Sequence, residues 1–322
     1  MAKGKPTVTT VPGHTGHPEV TVTKSTLMDK RKEAGRAASF KRWWLAPTDR
    51  IHEDLMSSFN TLIMEQGDRM LANIRHLRMY LNTRGPITAG SAMTRLRAGA
   101  SPVGRGLAFT FNASQSIVDT ATAMIAKSEP EATVLTSAGS WKQQKKAKQL
   151  TKYLKGKFDE LGVWTQGKRA FKDSGIFGTG CVKVWAEAER VCCKRINIDD
   201  IVVDNNDGAD QEPTVIHQKG HVDRDVLCAL WPDHEREIMA ASAAFKDDFF
   251  APQGDQFAAV LESWHLPSIP GAEDGMHVIC LNNCTLLAEE WTHSWFPFAF
   301  IRWNENPVSF YGTGIIEQVG PL

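Results

Sequence analysis

The feature that most restricts the fold is a change of hydrophobic period at one place in the chain. Up to Phe177 apolar residues recur every three or four positions, the spacing of one helix face. From Cys181 onward they alternate, Val182 and Val184 against Cys181, Lys183 and Trp185, the spacing of a half-buried strand. Gly175, Gly178 and Gly180 mark the boundary. Helical patterning on one side and alternation on the other predict an α+β protein, a helical first half followed by a mainly antiparallel β region.

On the helical side, Ile51, Leu55, Phe59, Leu62 and Ile63 predict an amphipathic helix across residues 48–81, with Thr48 as its cap. Residues 83–106 are rich in glycine and arginine (Arg84, Arg95, Arg97, Arg105) and read as a long loop or projecting hairpin. A helix over 114–127 is expected to gather Ile117, Ala121, Met124 and Ile125 on one face and to end before Pro130. The clearest helix, 140–161, has Ala147, Leu150, Leu154, Phe158 and Leu161 in one stripe and stops at Gly162. Another runs from about 165 to 177.

Strands are expected over 181–187, 190–196, 201–204, 215–222, 257–266, 277–291 and 298–303, with short helices at 223–231 and 233–245. Asn282-Asn283 lies between two apolar runs and predicts a hairpin turn. A last helix opens at Gly312 and shows only two turns, to Val319. The expected organisation is an arm at 1–40, a helical part at 41–178, a β-rich part at 179–310, and the start of a helix at 311–322.

Residues 1–40 carry Thr, Lys, Gly and Pro but hardly a large apolar group, so they are expected to form a flexible arm. Elsewhere 42% apolar and 23% charged residues suit an ordinary folded core. No apolar run reaches the ~18 residues of a membrane span, and no secretory signal precedes the fold, so synthesis in a cytoplasm is expected.

The formal charge is zero, which argues against a dedicated DNA binder, but charge is segregated along the chain. Lys142, Lys145, Lys146, Lys148, Lys152, Lys155 and Lys157 crowd one helix against Asp159 and Glu160, whereas residues 199–274 are strongly acidic. A solvated helix face is the ordinary reading of such a run. The functional one is contact of Lys142, Lys145, Lys146, Lys148 and Lys152, with Arg84, Arg95 and Arg97, to DNA or a neighbouring subunit.

Other candidate chemistry is weak. Gly175–Gly180 (GIFGTG) lacks the strand before it and the helix after it that a phosphate loop needs, and reads as a helix end. Cys192-Cys193 with His217 and His221, or Cys280 with Cys284, fall short of zinc spacing, and the six cysteines are expected as reduced, mostly buried thiols. The acidic run 199–210 (DDIVVDNNDGAD) lacks the register of a calcium loop and reads as a solvated turn. GxSxG, HExxH and GxxxxGK[ST] do not occur. No metal, cofactor or catalytic residue is therefore assigned.

Several segments, in order, resemble the N-terminal half of tailed-phage portal (head–tail connector) proteins, particularly of short-tailed phages. They are FNASQSIVDTATAMIAKSEPEATVLT (111–136), WKQQKKAKQLTKYLKGKFDELGVW (141–164), AFKDSGIFGTGCVKVW (170–185), RINIDDIVVD (195–204), VLESWHLPS (260–268) and WFPFAFIRWNENPVSFYGTGIIEQVGPL (295–322). The resemblance spans roughly residues 41–322. It implies a portal-like wing, with Tyr311–Gly314 (YGTG) leading into a stem helix.

It also implies a non-enzymatic subunit of a ring, generally dodecameric, at a capsid vertex. Such a ring meets capsid and scaffold proteins, terminase, and tail or adaptor proteins, and conducts double-stranded DNA. The location implied is the virion. Stem, clip and crown do not fit in 322 residues, so a longer chain is expected. The alternative is a nucleic-acid-binding protein of unrelated type. Brief protease treatment is expected to trim residues 1–40 and leave a fragment beginning near Trp43, read by mass spectrometry. Early protection of Val8–Thr23 contradicts the arm.

Overall fold

The computed structural model describes residues 42–82, 112–129, 131–137, 139–187, 190–245, 248, 251–252, 254–269 and 271–319. The arm at 1–40 and the segment holding Arg84, Arg95, Arg97 and Arg105 lie outside these. Helices precede antiparallel sheets, so the chain is α+β as its change of period demands.

A 3-10 turn at Trp43–Leu45 precedes α1 (Ile51–Glu65) and α2 (Gly67–Leu81). The single helix expected over 48–81 is broken at Gln66, whose side chain is 3% exposed and points into the protein. There its Nε2 donates to the Val203 carbonyl at 2.5 Å, so the break serves a buried polar network. Ile51, Leu55, Phe59, Leu62 and Ile63 are buried as expected. Thr48 is not the cap: residues 48–50 form a turn, Arg50 takes the cap position, and no side chain bonds there.

Helix α3 (Ala113–Ala126) is capped by Asn112, whose side chain accepts from the Gln115 N–H at 3.1 Å. Its inward residues are Val118 and Thr122. The expected face of Ile117, Met124 and Ile125 points outward instead, 43%, 72% and 55% exposed. The reason is close packing on α5 (Val163–Phe177): a Cβ at Gly175 would lie 3.3 Å from Val118 and 3.5 Å from Thr122, so the smallest surfaces of both helices meet.

Helix α4 (Trp141–Glu160) opens with a capping box of Ser140 and Gln143 and ends before Gly162, which takes left-handed φ of 59°. Of its apolar stripe only Ala147 is buried. Leu150 is 47% exposed, and Leu154, Phe158 and Leu161 are half-buried.

Two antiparallel sheets follow. The first has order β2-β1-β8, from β1 (Thr179–Glu187), β2 (Arg190–Ile196) and β8 (Phe298–Arg302). The second has order β3-β4-β5-β6-β7, from β3 (Ile201–Val202), β4 (Val215–Asp223), β5 (Phe257–His265), β6 (Met276–Cys280) and β7 (Thr285–Glu290). Asn282-Asn283 turns β6 into β7, with the Leu281 N–H bonded to the Cys284 carbonyl at 2.9 Å.

Short helices α6 (Arg224–Leu230) and α7 (Glu235–Ala240) cover part of the second sheet through Leu227 and Ile238. The helix expected over 233–245 is shorter because a 3-10 turn, Pro232–His234, precedes it and Ala241 turns extended. Between the sheets Cys181, Ile196, Ile201, Ile216, Phe310 and Tyr311 form a core. A second core joins α2, α3, α5 and the short α8 (Ile315–Val319) through Tyr80, Val118, Ile176, Ile315 and Ile316.

Backbones touch where α5 becomes β1. Gly178 has φ of 90°, and a Cβ there would lie 2.0 Å from the Gly312 carbonyl oxygen. A Cβ on Gly180 would lie 1.8 Å from the Ala170 carbonyl oxygen. The Gly312 N–H donates to the Thr179 hydroxyl at 2.8 Å, and the Trp303 N–H to the Gly178 carbonyl at 3.0 Å.

Tyr311 then enters the polar network around Gln66. Its hydroxyl accepts from the Val203 N–H at 3.1 Å and donates to the Ile201 carbonyl at 3.0 Å, with Gln66 Oε1 3.1 Å away. The Arg69 guanidinium lies 4.0 Å over the Tyr311 ring and 3.3 Å from Asp199, which also accepts from Asn73 at 2.6 Å.

Tyr311→Phe strands a buried N–H and a buried carbonyl, and is expected to lower unfolding free energy by about 1–3 kcal/mol in urea titration. Gly180→Ala drives a methyl into backbone and is expected to leave no cooperative transition. Wild-type midpoints for both variants contradict this account of the junction.

Candidate functional site

The lysines singled out in the sequence are where a contact surface needs them. Lys142, Lys145, Lys146, Lys148 and Lys152 are all exposed on α4. Trp141, Lys145, Lys148 and Lys152 follow one another at helical spacing, with Lys142, Lys146 and Tyr153 beside them. Trp141 is 71% exposed, and the Lys145 ammonium lies 5.3 Å from its ring. The remaining lysines of this helix are paired, Lys155 with Glu131 and Lys157 with Glu160 at 2.7 Å. Arg84, Arg95 and Arg97 lie outside the described residues, so nothing joins them to this face.

The other sequence candidates fall apart as sites. Within GIFGTG, Gly175 is inside α5, Gly178 ends it and Gly180 is already in β1, a helix terminus rather than a phosphate cradle. Cys192 and Cys193 sit on β2 of the first sheet, whereas His217 and His221 sit on β4 of the second. Cys280 and Cys284 are buried at the Asn-Asn turn, where burial pushes both thiols up, that of Cys284 to about 11.

In the acidic run, Asp199 faces Arg69 and Asn73, and Asp204 accepts from the Asn206 N–H at 2.9 Å. Asp207 accepts from Thr214 N–H at 2.6 Å, its hydroxyl at 2.8 Å, and the Val215 N–H at 3.1 Å. These carboxylates order their own turn. Among the described residues no group of three His, Cys, Asp or Glu side chains is placed to hold a metal ion.

No motif announces the groove of about 730 Å³ that lies between the two sheets. Its walls include Trp185, Trp231, Trp264, Trp291 and Trp295. Register explains how it forms. Trp264 on β5 lies opposite His277 on β6, and His277 opposite Glu289 on β7, so all three share one face. One row along, Glu262 lies opposite Gln218 on β4.

The rings of Trp264 and His277 stack with centroids 5.0 Å apart, and the His277 nitrogens lie 3.1 Å from Glu262 and 2.7 Å from Glu289. Lys183 reaches across from β1 of the other sheet to Glu262 and to Gln218 at 2.9 Å. Its ammonium also lies 4.7 Å from the Trp264 ring and 5.7 Å from that of Trp185. Burial alone would raise the Glu262 carboxyl, but His277 and Lys183 outweigh it and hold it below the usual range.

The floor of the groove is thus a satisfied ionic network, and its mouth is open. Trp295 is 56% exposed, and the exposed carboxylates of Glu187, beside the Cys192 thiol, and Glu289, bonded to His277, stand at the rim near aromatic rings. The alternation of Glu262 with Trp264 was visible in the sequence. The pairing that sets His277 and Glu289 beside them was not.

On the opposite face of the second sheet, His217 is 1% exposed, packed near Trp43 and Phe59, with Nδ1 2.8 Å from the Ser263 hydroxyl. Burial lowers its pKa to about 3. No family model matches the chain, and no curated protein matches it significantly.

His217 stays neutral in the fold while an unfolded histidine binds a proton below about pH 6.5. Its stabilising contribution is therefore complete above 6.5 and is lost as pH falls toward 3, by about 1.4 kcal/mol per unit. Asp200, pushed up to about 6 by burial, acts oppositely between 6 and its unfolded value near 4. The expected outcome is a wild type whose unfolding free energy falls by under about 1 kcal/mol from pH 6.5 to 6 and is then nearly level to 4, where the two groups offset each other. His217→Gln leaves the Asp200 contribution alone, so its unfolding free energy should rise as pH falls from 6 to 4, and parallel profiles for the two proteins contradict this.

Proposed function

We propose that this chain is the wing portion of a tailed-phage portal subunit, a structural component of a ring that passes DNA and carries out no chemistry itself. The observation that carries the reading is the outward direction of the helical half. Ile117, Met124, Ile125, Trp141, Leu150 and Tyr153 are all exposed, although α3 fills its inner face with Val118 and Thr122 and α4 buries Ala147. Apolar surface of this kind marks contact with other protein.

Three further points support it. Segments resembling portal proteins occur in order along residues 111–322. The α+β order, with YGTG leading into α8, suits the wing-to-stem junction which that resemblance implies. The charged network in the groove is satisfied from within, as suits a rigid part. Capsid, scaffold, terminase and tail or adaptor proteins are the partners this reading brings, with a dodecameric ring at the capsid vertex. No helix among the described residues is long and apolar enough to cross a membrane, in keeping with a virion component.

A second reading, a nucleic-acid-binding protein of another kind, is favoured by the five exposed lysines of α4. Light scattering and negative-stain imaging of the protein from its complete gene separate the two. Rings with a central hole are expected. A monomer at every concentration and salt, retaining DNA on a filter, overturns the portal reading.

A further inference from the structure

Two surfaces of this chain complement each other in charge and aromatic character but lie on different parts of the fold. The first is the outer face of α4, a rod about 30 Å long, where Trp141 is followed by Lys145, Lys148 and Lys152 at one-turn intervals. The second is the groove between the sheets, with an aromatic wall and a rim bearing Glu187 and Glu289. Helix α4 packs along α5, so it does not fill the groove of its own chain.

We propose that α4 of one copy docks into the tryptophan-lined groove of a second copy, making a head-to-tail contact. The proposal rests on the ring-subunit reading and supplies it with its two faces.

The groove itself shows how it takes an ammonium group. Lys183 lies against Trp264 and Trp185 with a carboxylate beside it, and that one site is already filled by the chain's own lysine. The rim repeats the pairing of carboxylate with ring and has no lysine or arginine bonded to it: Glu187 and Glu289, the latter also bonded to His277, stand exposed near Trp185, Trp291 and Trp295. A lysine-bearing helix with a leading tryptophan offers both partners, ammonium for carboxylate and ring for ring. Phosphate would meet two rim carboxylates and be repelled, which favours a cationic occupant over nucleic acid in the groove.

Because the two faces differ, the contact is heterologous. It leaves one free α4 and one free groove on every dimer, and so propagates until a ring closes.

The test uses the full chain and two sets of surface changes. Lys145→Ala with Lys148→Ala and Lys152→Ala spoils α4 alone, without making it complementary to the altered groove. Glu187→Lys with Trp295→Ala spoils the groove alone. Sedimentation is expected to show each variant self-associating about a hundredfold more weakly than the parent. An equimolar mixture should give a 1:1 complex and nothing larger, since one intact α4 then meets one intact groove.

Variants that assemble like the parent overturn the docking and leave the ring reading standing. A parent that never associates overturns both. If the α4 changes abolish retention of duplex DNA but spare assembly, the helix serves DNA and the docking is wrong. Should a variant fail to fold, the unchanged parent still decides. Carbodiimide cross-linking of isotope-mixed copies must join an α4 lysine to Glu187 or Glu289 between chains, and cross-links only elsewhere overturn the proposal.

Discussion

Everything in this fold hangs on a place where two stretches of backbone touch with no side chain between them. Gly178 and Gly180 end a helix and begin a strand, and Gly312 lies against Gly178, as the Ala170 carbonyl does against Gly180, at distances that even one methyl would forbid. The contact fixes where α5 hands over to β1, and so the angle between the helical half and the first sheet. It also delivers Tyr311 to the only depth at which its hydroxyl reaches Ile201 and Val203. From there the Gln66 and Arg69 side chains carry the constraint back to the α1–α2 break.

The two sheets are held in a different way. Lys183 and Glu262 come from opposite sheets, and each is the other's compensation for leaving water. Such a pair adds little net stability, because desolvation offsets most of the attraction. What it gives is position. With Gln218 and His277 also engaged, the sheets cannot slide without leaving a charge unpaired, and the tryptophan walls keep their separation.

Much of this was legible in the sequence. Period, glycine placement and the Asn-Asn turn located nearly every element, because each reflects local backbone preference and one buried face. The inward face of α3 was not legible. Ile117, Met124 and Ile125 form the more apolar stripe, but α5 offers Gly175 as its contact, and the nearness it permits favours Val118 and Thr122. The break at Gln66 was hidden for a related reason, since its partners lie more than a hundred residues away. For the candidate sites the same division holds. Five lysines on one helix could be read from spacing alone, whereas a groove built from β1, β5, β6 and β7 depends on strand pairing that no single segment announces.

The small helix α8 has a consequence for how the chain comes to be folded. Ile315 and Ile316 fill the space among Tyr80, Val118 and Ile176, so the helical half has no finished interior without them. A ribosome making this protein releases α1 to α5 long before those two isoleucines leave its exit tunnel. Until they arrive the first helices have a gap where a neighbour should be, and their apolar surface stays open to solvent and to one another. Completion of the helical half is thereby deferred until both sheets have been made, and its exposed apolar surface is an aggregation hazard in the interval.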